Sequence, residues 1–179
     1  MTTTLLHLSW VCRGTLAMVF AVSVLAKVSG VAAVTRFRHA TRTLTGSRDR
    51  RADVLALLVV AGETAVAAGS IPASTAPWAA AAAIVLLALF SWRLARLPGA
   101  DSTVACGCFG AAVTTRRTGL MRNALLLVVA ALGAGSTLAV TGTGDTGFAG
   151  PLVCVVAASL LAAVVIRLND ITSVFTARL

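Results

Sequence analysis

Charge is scarce in this chain: only 12% of its 179 residues are charged, and only six of them are acidic. With 58% hydrophobic residues and a mean hydropathy of +0.94, the composition excludes an ordinary soluble globular domain. Long polar stretches are missing too. A spanning helix needs roughly 20 apolar residues to cross about 30 Å of hydrocarbon, so the length admits about four to six crossings and leaves no room for a separate catalytic domain. A basic n-region is absent from the opening "MTTTLLHLSWVCRG", and the apolar run after it is long enough to stay in the membrane. We therefore expect a retained first helix rather than a cleaved signal. Cysteine is sparse, with four in all, and no second CxC or CxxC accompanies the one at Cys106 and Cys108. Neither a convincing internal repeat nor a low-complexity tail is present.

What remains is a series of apolar runs. The segments that pass the length test lie at about 8–34, 53–71, 77–97, 119–141 and 149–168. Helices are the open structures that satisfy their own backbone in lipid, so the expected class is all-α: a polytopic membrane helical bundle forming a single domain over 8–168, with a short tail at 169–179. The breaks have physical causes. Pro72 and Pro77 bracket a tight connection, Pro98-Gly99 stops the third helix, and "TGTGDTG" at 141–147 reads as a flexible turn. Trp10, Trp78 and Trp92 fall near helix ends, where an indole favours the headgroup level.

The net charge of +9 could suggest a nucleic-acid partner, but its placement between apolar runs fits the loop bias of inserted helices and argues against one. Arg36, Arg38, Arg42, Arg48, Arg50 and Arg51 occupy the first connection. Arg93, Arg96, Arg116, Arg117 and Arg122 occupy or adjoin the third. With five crossings these share a side with Arg167 and Arg178, against Arg13 alone on the other. The positive-inside rule then places the N-terminus outside and the C-terminus inside, with Cys106 and Cys108 facing the cytoplasm.

Lys27 and Glu63 fall inside apolar runs, where ionised groups are costly and are usually paired or functional. Lys27 precedes Arg36 by about nine residues and Glu63 follows Asp53 by about ten, so at 1.5 Å per residue both sit roughly 14 Å in from the same face. Adjacent antiparallel helices would pair them. Such a pair either fixes the bundle or serves a proton path or polar ligand. Small residues spaced four apart, such as Ala65 and Gly69, are expected to let helices approach closely.

The CxC is the most specific chemical feature. Two thiols separated by Gly107 close a disulfide only in a tight turn, and a small strained ring exchanges readily. Arg116 and Arg117 would favour a thiolate, the nucleophile of exchange. Zinc wants four ligands, and beyond these thiols the same face offers only His39, so we expect no metal site within one chain. Simple packing in a turn is the other alternative. Cys12 and Cys154 each lie a few residues into a helix starting on the outer side, so they share a leaflet; they either pack or form a second pair if those helices touch.

With these residues in place, the chain resembles the MauE family of methylamine-utilisation membrane proteins, within the wider group of DoxX-like redox-associated membrane proteins. The resemblance rests on "CGCFG" at 106–110, on Lys27 in "MVFAVSVLAKVSG", on Glu63, and on "RNALLLVVA" at 122–130. It implies a four-helix core, to which the fifth helix is an addition. It also implies a thiol–disulfide redox role beside a thioredoxin-like partner, supporting disulfide formation in an exported client. For the namesake proteins that client is the small subunit of methylamine dehydrogenase. If the chain is an enzyme, its chemistry is of the thiol–disulfide oxidoreductase type. The non-catalytic alternative is a membrane scaffold or chaperone in which the CxC packs or binds metal. An exported client most simply needs the CxC outside, whereas the arginines place it inside. Either the helix count differs, or the motif dips into the membrane, or electrons enter from the cytoplasm. In the last case they must cross about 30 Å, which requires movement or a carrier such as a quinone.

Overall fold

The structure, a computed structural model, describes residues 2–45, 50–96, 103–104, 114–139 and 149–176. Among these residues the helices are α1 (Thr2–Val28), α2 (Val31–Thr45), α3 (Arg50–Gly69), α4 (Ala76–Ala95), α5 (Arg116–Ala139) and α6 (Ala149–Thr176). A small antiparallel ladder joins β1 (Thr103–Val104) to β2 (Thr114–Thr115), pairing Thr103 with Thr115 and Val104 with Thr114. Four helices are long and apolar enough to cross a membrane, at Thr3–Val28, Arg50–Gly69, Ala76–Ala95 and Arg116–Ala139, and α6 carries a shorter apolar stretch, Leu152–Arg167. The all-α membrane bundle expected from the sequence is the architecture observed.

The first helix departs from expectation. It ends at Val28 instead of running to Val34, because Gly30 adopts a φ of 149°, a region that L side chains rarely enter. The carbonyl of Gly30 then accepts hydrogen bonds from the amides of Ala33 and Val34 and starts α2. The arginine-rich stretch that read as a connection is therefore mostly helix. The expected tail at 169–179 is likewise taken up through Thr176 by α6, since no Pro or Gly interrupts the chain there.

Helix α1 is the hub and touches α2, α3, α5 and α6, while α4 packs on α3 and α5. Its buried stripe of Ser9, Arg13, Leu16, Phe20, Ser23 and Lys27 advances by alternate steps of four and three, the spacing that keeps one face inward along a helix. The apolar part of the core joins Leu16, Val19 and Phe20 to Val66 of α3, Leu87 of α4, Leu126 and Ala130 of α5 and Val165 of α6.

Glycines set the close approaches. A Cβ on Gly133 would lie 3.0 Å from that of Cys12, and one on Gly14 would lie 3.0 Å from that of Ala158. In the α3–α4 hairpin, Gly69 meets Ala79 and Gly62 meets Leu86. Ala65 is exposed, so the hairpin closes on Gly62 and Gly69 rather than on the expected Ala65 and Gly69.

These contacts fix helix directions. Cys12 opposite Gly133, with Ser9 bonded to Thr137, makes α1 and α5 antiparallel. Gly14 opposite Ala158, with the Cys154 thiol at the His7 carbonyl, makes α1 and α6 parallel. One end of the bundle therefore gathers the end of α1, all of α2, the start of α3, the end of α4 and the start of α5. Because it holds most of the described arginines, we call it the basic face.

Candidate functional site

Lys27 and Glu63 are each 1% exposed and form a buried ion pair between α1 and α3. The Lys27 ammonium donates to Glu63 Oε1 at 2.7 Å and to Oε2 at 2.6 Å, and to Ser23 Oγ at 2.7 Å. Ser23 Oγ in turn donates to Glu63 Oε1 at 3.2 Å. Ser23 and Lys27 sit one turn apart on the inward stripe of α1, so a single helix face supplies the ammonium and its hydroxyl neighbour. Two donor groups make three hydrogen bonds to one buried carboxylate, which is what makes a charge pair tolerable there.

Helix α2 completes the site. Its Phe37 ring lies 5.3 Å from the Lys27 ammonium, within reach of a cation–π attraction. Arg38 and Arg42, one turn apart, both bond the Asp53 carboxylate at the start of α3, Arg38 Nε at 2.9 Å and Arg42 Nη2 at 3.2 Å. That hydrogen bond and the nearby negative charge hold the Arg38 guanidinium above its ordinary pKa. The latch is exposed and worth little energy, but it fixes how α2 lies over the pair.

The pair has a compositional signature as well. Lys27 is the single lysine and Glu63 the single glutamate of the chain; the other fourteen bases are arginine and the other five acids are aspartate. The two partners are thus the only residues of their kinds, and they bond each other.

The flanks of the CxC segment lie at the same end of the bundle. Cys106 and Cys108 lie outside the described residues, but both flanks of their segment are described. β1 precedes it, β2 follows it, and the ladder brings these flanks together. Thr115, the last residue of β2, caps α5 by accepting from the Thr118 amide at 3.3 Å, with its hydroxyl 3.0 Å from that of Thr118. Arg116 and Arg117 open α5 directly after it. Thr118, Arg122 and Asn123 are buried along the first turns of α5, and Asn123 donates to Ser91 Oγ of α4 at 3.2 Å.

Cys12 and Cys154 are free thiols, both buried. Helices α1 and α6 do touch, yet Cys12 packs on Gly133 of α5 while Cys154 lies at His7, so each serves as a packing residue. His39 is exposed on α2. On the opposite face Arg13, 8% exposed, donates through Nε to the Ser70 carbonyl at 3.0 Å and through Nη2 to that of Ile71. It closes the C-terminus of α3, and its guanidinium lies 5.0 Å from the Trp10 ring.

Depth counting therefore found Lys27 and Glu63 but missed Ser23, Phe37 and the Asp53 latch. Ser23 was open to discovery, four residues before Lys27 on the same face. Phe37 was not, because its position depends on the break at Gly30.

The family model described as Methylamine utilisation protein MauE matches residues 5–136. That stretch holds Lys27, Glu63, Cys106, Cys108 and most of α5, and it stops before α6. No curated protein and no solved structure matches the chain.

Proposed function

The chain belongs to the MauE family, a family of methylamine utilisation, and we propose that this multi-pass membrane protein works by thiol–disulfide exchange at Cys106 and Cys108. The observation that carries the reading is the clamped segment: the β1–β2 ladder ties residues 105–113 at both ends beside the capped start of α5. A tethered CxC pays less entropy on closing its disulfide than a free one, and Gly107 gives the turn its freedom.

The exchange partner is a thioredoxin-like protein, and the beneficiary is an exported client that acquires disulfides. Electrons balance within the exchange: a thiolate attacks the partner disulfide, a mixed disulfide forms, and the second thiol resolves it. Each disulfide opened on one protein is closed on the other. The excess of arginine on the basic face orients that face, and the CxC with it, toward the cytoplasm. A membrane quinone is the carrier class suited to moving electrons across the remaining thickness.

Lys27 and Glu63 hold α1 against α3 on the same side of the bundle as the described flanks of the CxC segment. Buried together near the flanks of the CxC segment, the two side chains either support the bundle or serve a proton path for the thiol chemistry.

The test is thiol trapping in native membranes. Cys106 and Cys108 should resist alkylation until reductant is added in part of the population, and Cys108→Ser should trap a mixed disulfide with the thioredoxin-like partner. Complete alkylation without reductant in every growth condition, with client disulfides intact in Cys108→Ser, refutes the redox role. A reporter fused after Gly110 should behave as cytoplasmic; activity typical of the outer side reverses the orientation.

A further inference from the structure

Lys27 lies just before Gly30, so the direction the chain takes at that glycine decides whether the pair is covered. If α1 ran on straight, Phe37 would stand about 15 Å beyond Lys27 along the axis, from about ten residues at 1.5 Å each. The φ of 149° at Gly30 turns the chain instead, and the Phe37 ring comes to 5.3 Å from the Lys27 ammonium. A Cβ at Gly30 would meet nothing within 4 Å. Glycine is needed there for its backbone angle alone.

Helix α2 is lightly held. Of residues 31–42 only Ala33 is buried, while Phe37, Ala40 and Thr41 are half-buried. The Asp53 carboxylate that Arg38 and Arg42 share is exposed to solvent, where salt screens it. The pair beneath is placed differently, gripped between α1 and α3 at 1% exposure. Toward the opposite face, Phe20, Val19 and Leu16 of α1 pack with Val66, Leu126 and Val165. Water arriving from that side meets this apolar layer first, so the shorter way to the pair runs under α2.

We propose that α2 is a cover that opens as a unit at Gly30 when the Asp53 latch is released, and that it admits water and small solutes from the basic face to Lys27 and Glu63. Closed, the Phe37 ring stands in the way in. Opening does not require α1 and α3 to part, so the ion pair survives the motion. The proposal concerns access to the pair and stands whether or not the CxC exchanges disulfides.

The test follows acylation of Lys27 by a charged, water-soluble amine-reactive ester, measured relative to the terminal amine on the purified full chain in neutral detergent. Cys12, a buried thiol on the same helix, is alkylated in parallel to report opening of the whole bundle. Raising salt from about 20 mM to about 1 M should speed Lys27 acylation about threefold in the parent while Cys12 stays protected. D53N should speed it about fivefold at low salt and remove the salt response. G30A, which favours the straight continuation of α1, should speed it about tenfold. R36Q removes an exposed base outside the latch and should change the rate less than about twofold. Lys27 rates that stay at the parent value in both D53N and G30A overturn the proposal. So does acylation that rises only together with alkylation of Cys12, which marks unfolding of the bundle. An R36Q rate equal to that of D53N refutes the latch. If neither D53N nor G30A accumulates, the parent decides: a Lys27 rate that is the same at both salt concentrations overturns the cover.

Discussion

Removing the Lys27 ammonium while leaving Glu63 in place is the most discriminating perturbation this bundle offers. In Lys27→Met the carboxylate loses both ammonium contacts, at 2.7 and 2.6 Å, and keeps the single Ser23 hydroxyl at 3.2 Å. Glu63 is 1% exposed, so water does not replace what is lost. Breaking a buried pair in this way costs about 3–5 kcal/mol, and Glu63→Leu alone should cost as much by stranding the ammonium. Combining Lys27→Met with Glu63→Leu removes both charges and leaves apolar groups of similar volume, so the double variant should recover most of the loss. The assay is thermal unfolding in detergent together with the steady-state level in membranes, read for both singles and the double. A double variant less stable than either single refutes the account of a compensated buried pair. The client's disulfide state gives a second reading from the same strains. If the double variant folds and accumulates like the parent but the client stays reduced, the pair acts in the chemistry; if the client matures, the pair is structural.

Other consequences are open to measurement. Lys27 is the sole lysine and its side chain is 0% exposed, so an amine-reactive ester should modify the terminal amine and spare Lys27 in peptide mass maps. Asp53→Asn, which unlatches α2, should raise Lys27 labelling several-fold, and labelling of the native protein at the rate of the terminal amine contradicts the burial. Gly133→Ala should destabilise the bundle by about 1–3 kcal/mol, because the new methyl meets Cys12 Cβ at 3.0 Å and both lie close to helix backbone. Gly135→Ala, with nothing within 4 Å, should instead stabilise by up to about 1 kcal/mol through helix propensity. Melting temperatures that move in the same direction for both refute the close packing of α1 on α5. Arg13→Met should cost about 1–3 kcal/mol by stranding the Ser70 and Ile71 carbonyls, and unchanged melting there removes Arg13 as the closure of α3.

The parts of this fold that are legible in sequence are those governed by the bilayer. Apolar length placed α3, α4 and α5 within a few residues, because a helix in lipid has to be long and uninterrupted. Counting residues from the arginine loop placed Lys27 and Glu63 at one depth, because rise per residue is fixed. Helix α2 escaped for the complementary reason. Its arginines read as loop when hydropathy is the only measure, although Ala33 and Phe37 sit four apart and turn toward the bundle. The break before it hangs on the φ of Gly30, and one glycine among fifteen gives no warning of which will leave the helical region. Arg13 was read as a lone charge on the sparse side. Its partners are main-chain carbonyls, which no residue pattern encodes.

The site gains its meaning from where the helices end rather than from proximity in sequence. Lys27 closes α1, Asp53 lies near the start of α3, Trp92 lies near the end of α4, and Thr115 caps α5. Alternating helix direction brings all of them to one face, some ninety residues of chain apart at the extremes. The opposite face receives Arg13 and the short Pro72-containing turn, where Thr75 donates to the Gly69 carbonyl at 2.7 Å. The two ends of the bundle are therefore built for different work. One is closed by main-chain hydrogen bonds and has no titratable pair among the described residues. The other joins a buried Lys–Glu pair, a cover helix that starts after the break at Gly30, and the paired flanks of the CxC segment. Thiol–disulfide exchange consumes and releases protons as thiols become thiolates. The single-against-double comparison at Lys27 and Glu63 is the measurement that separates a part in that chemistry from simple support of the bundle.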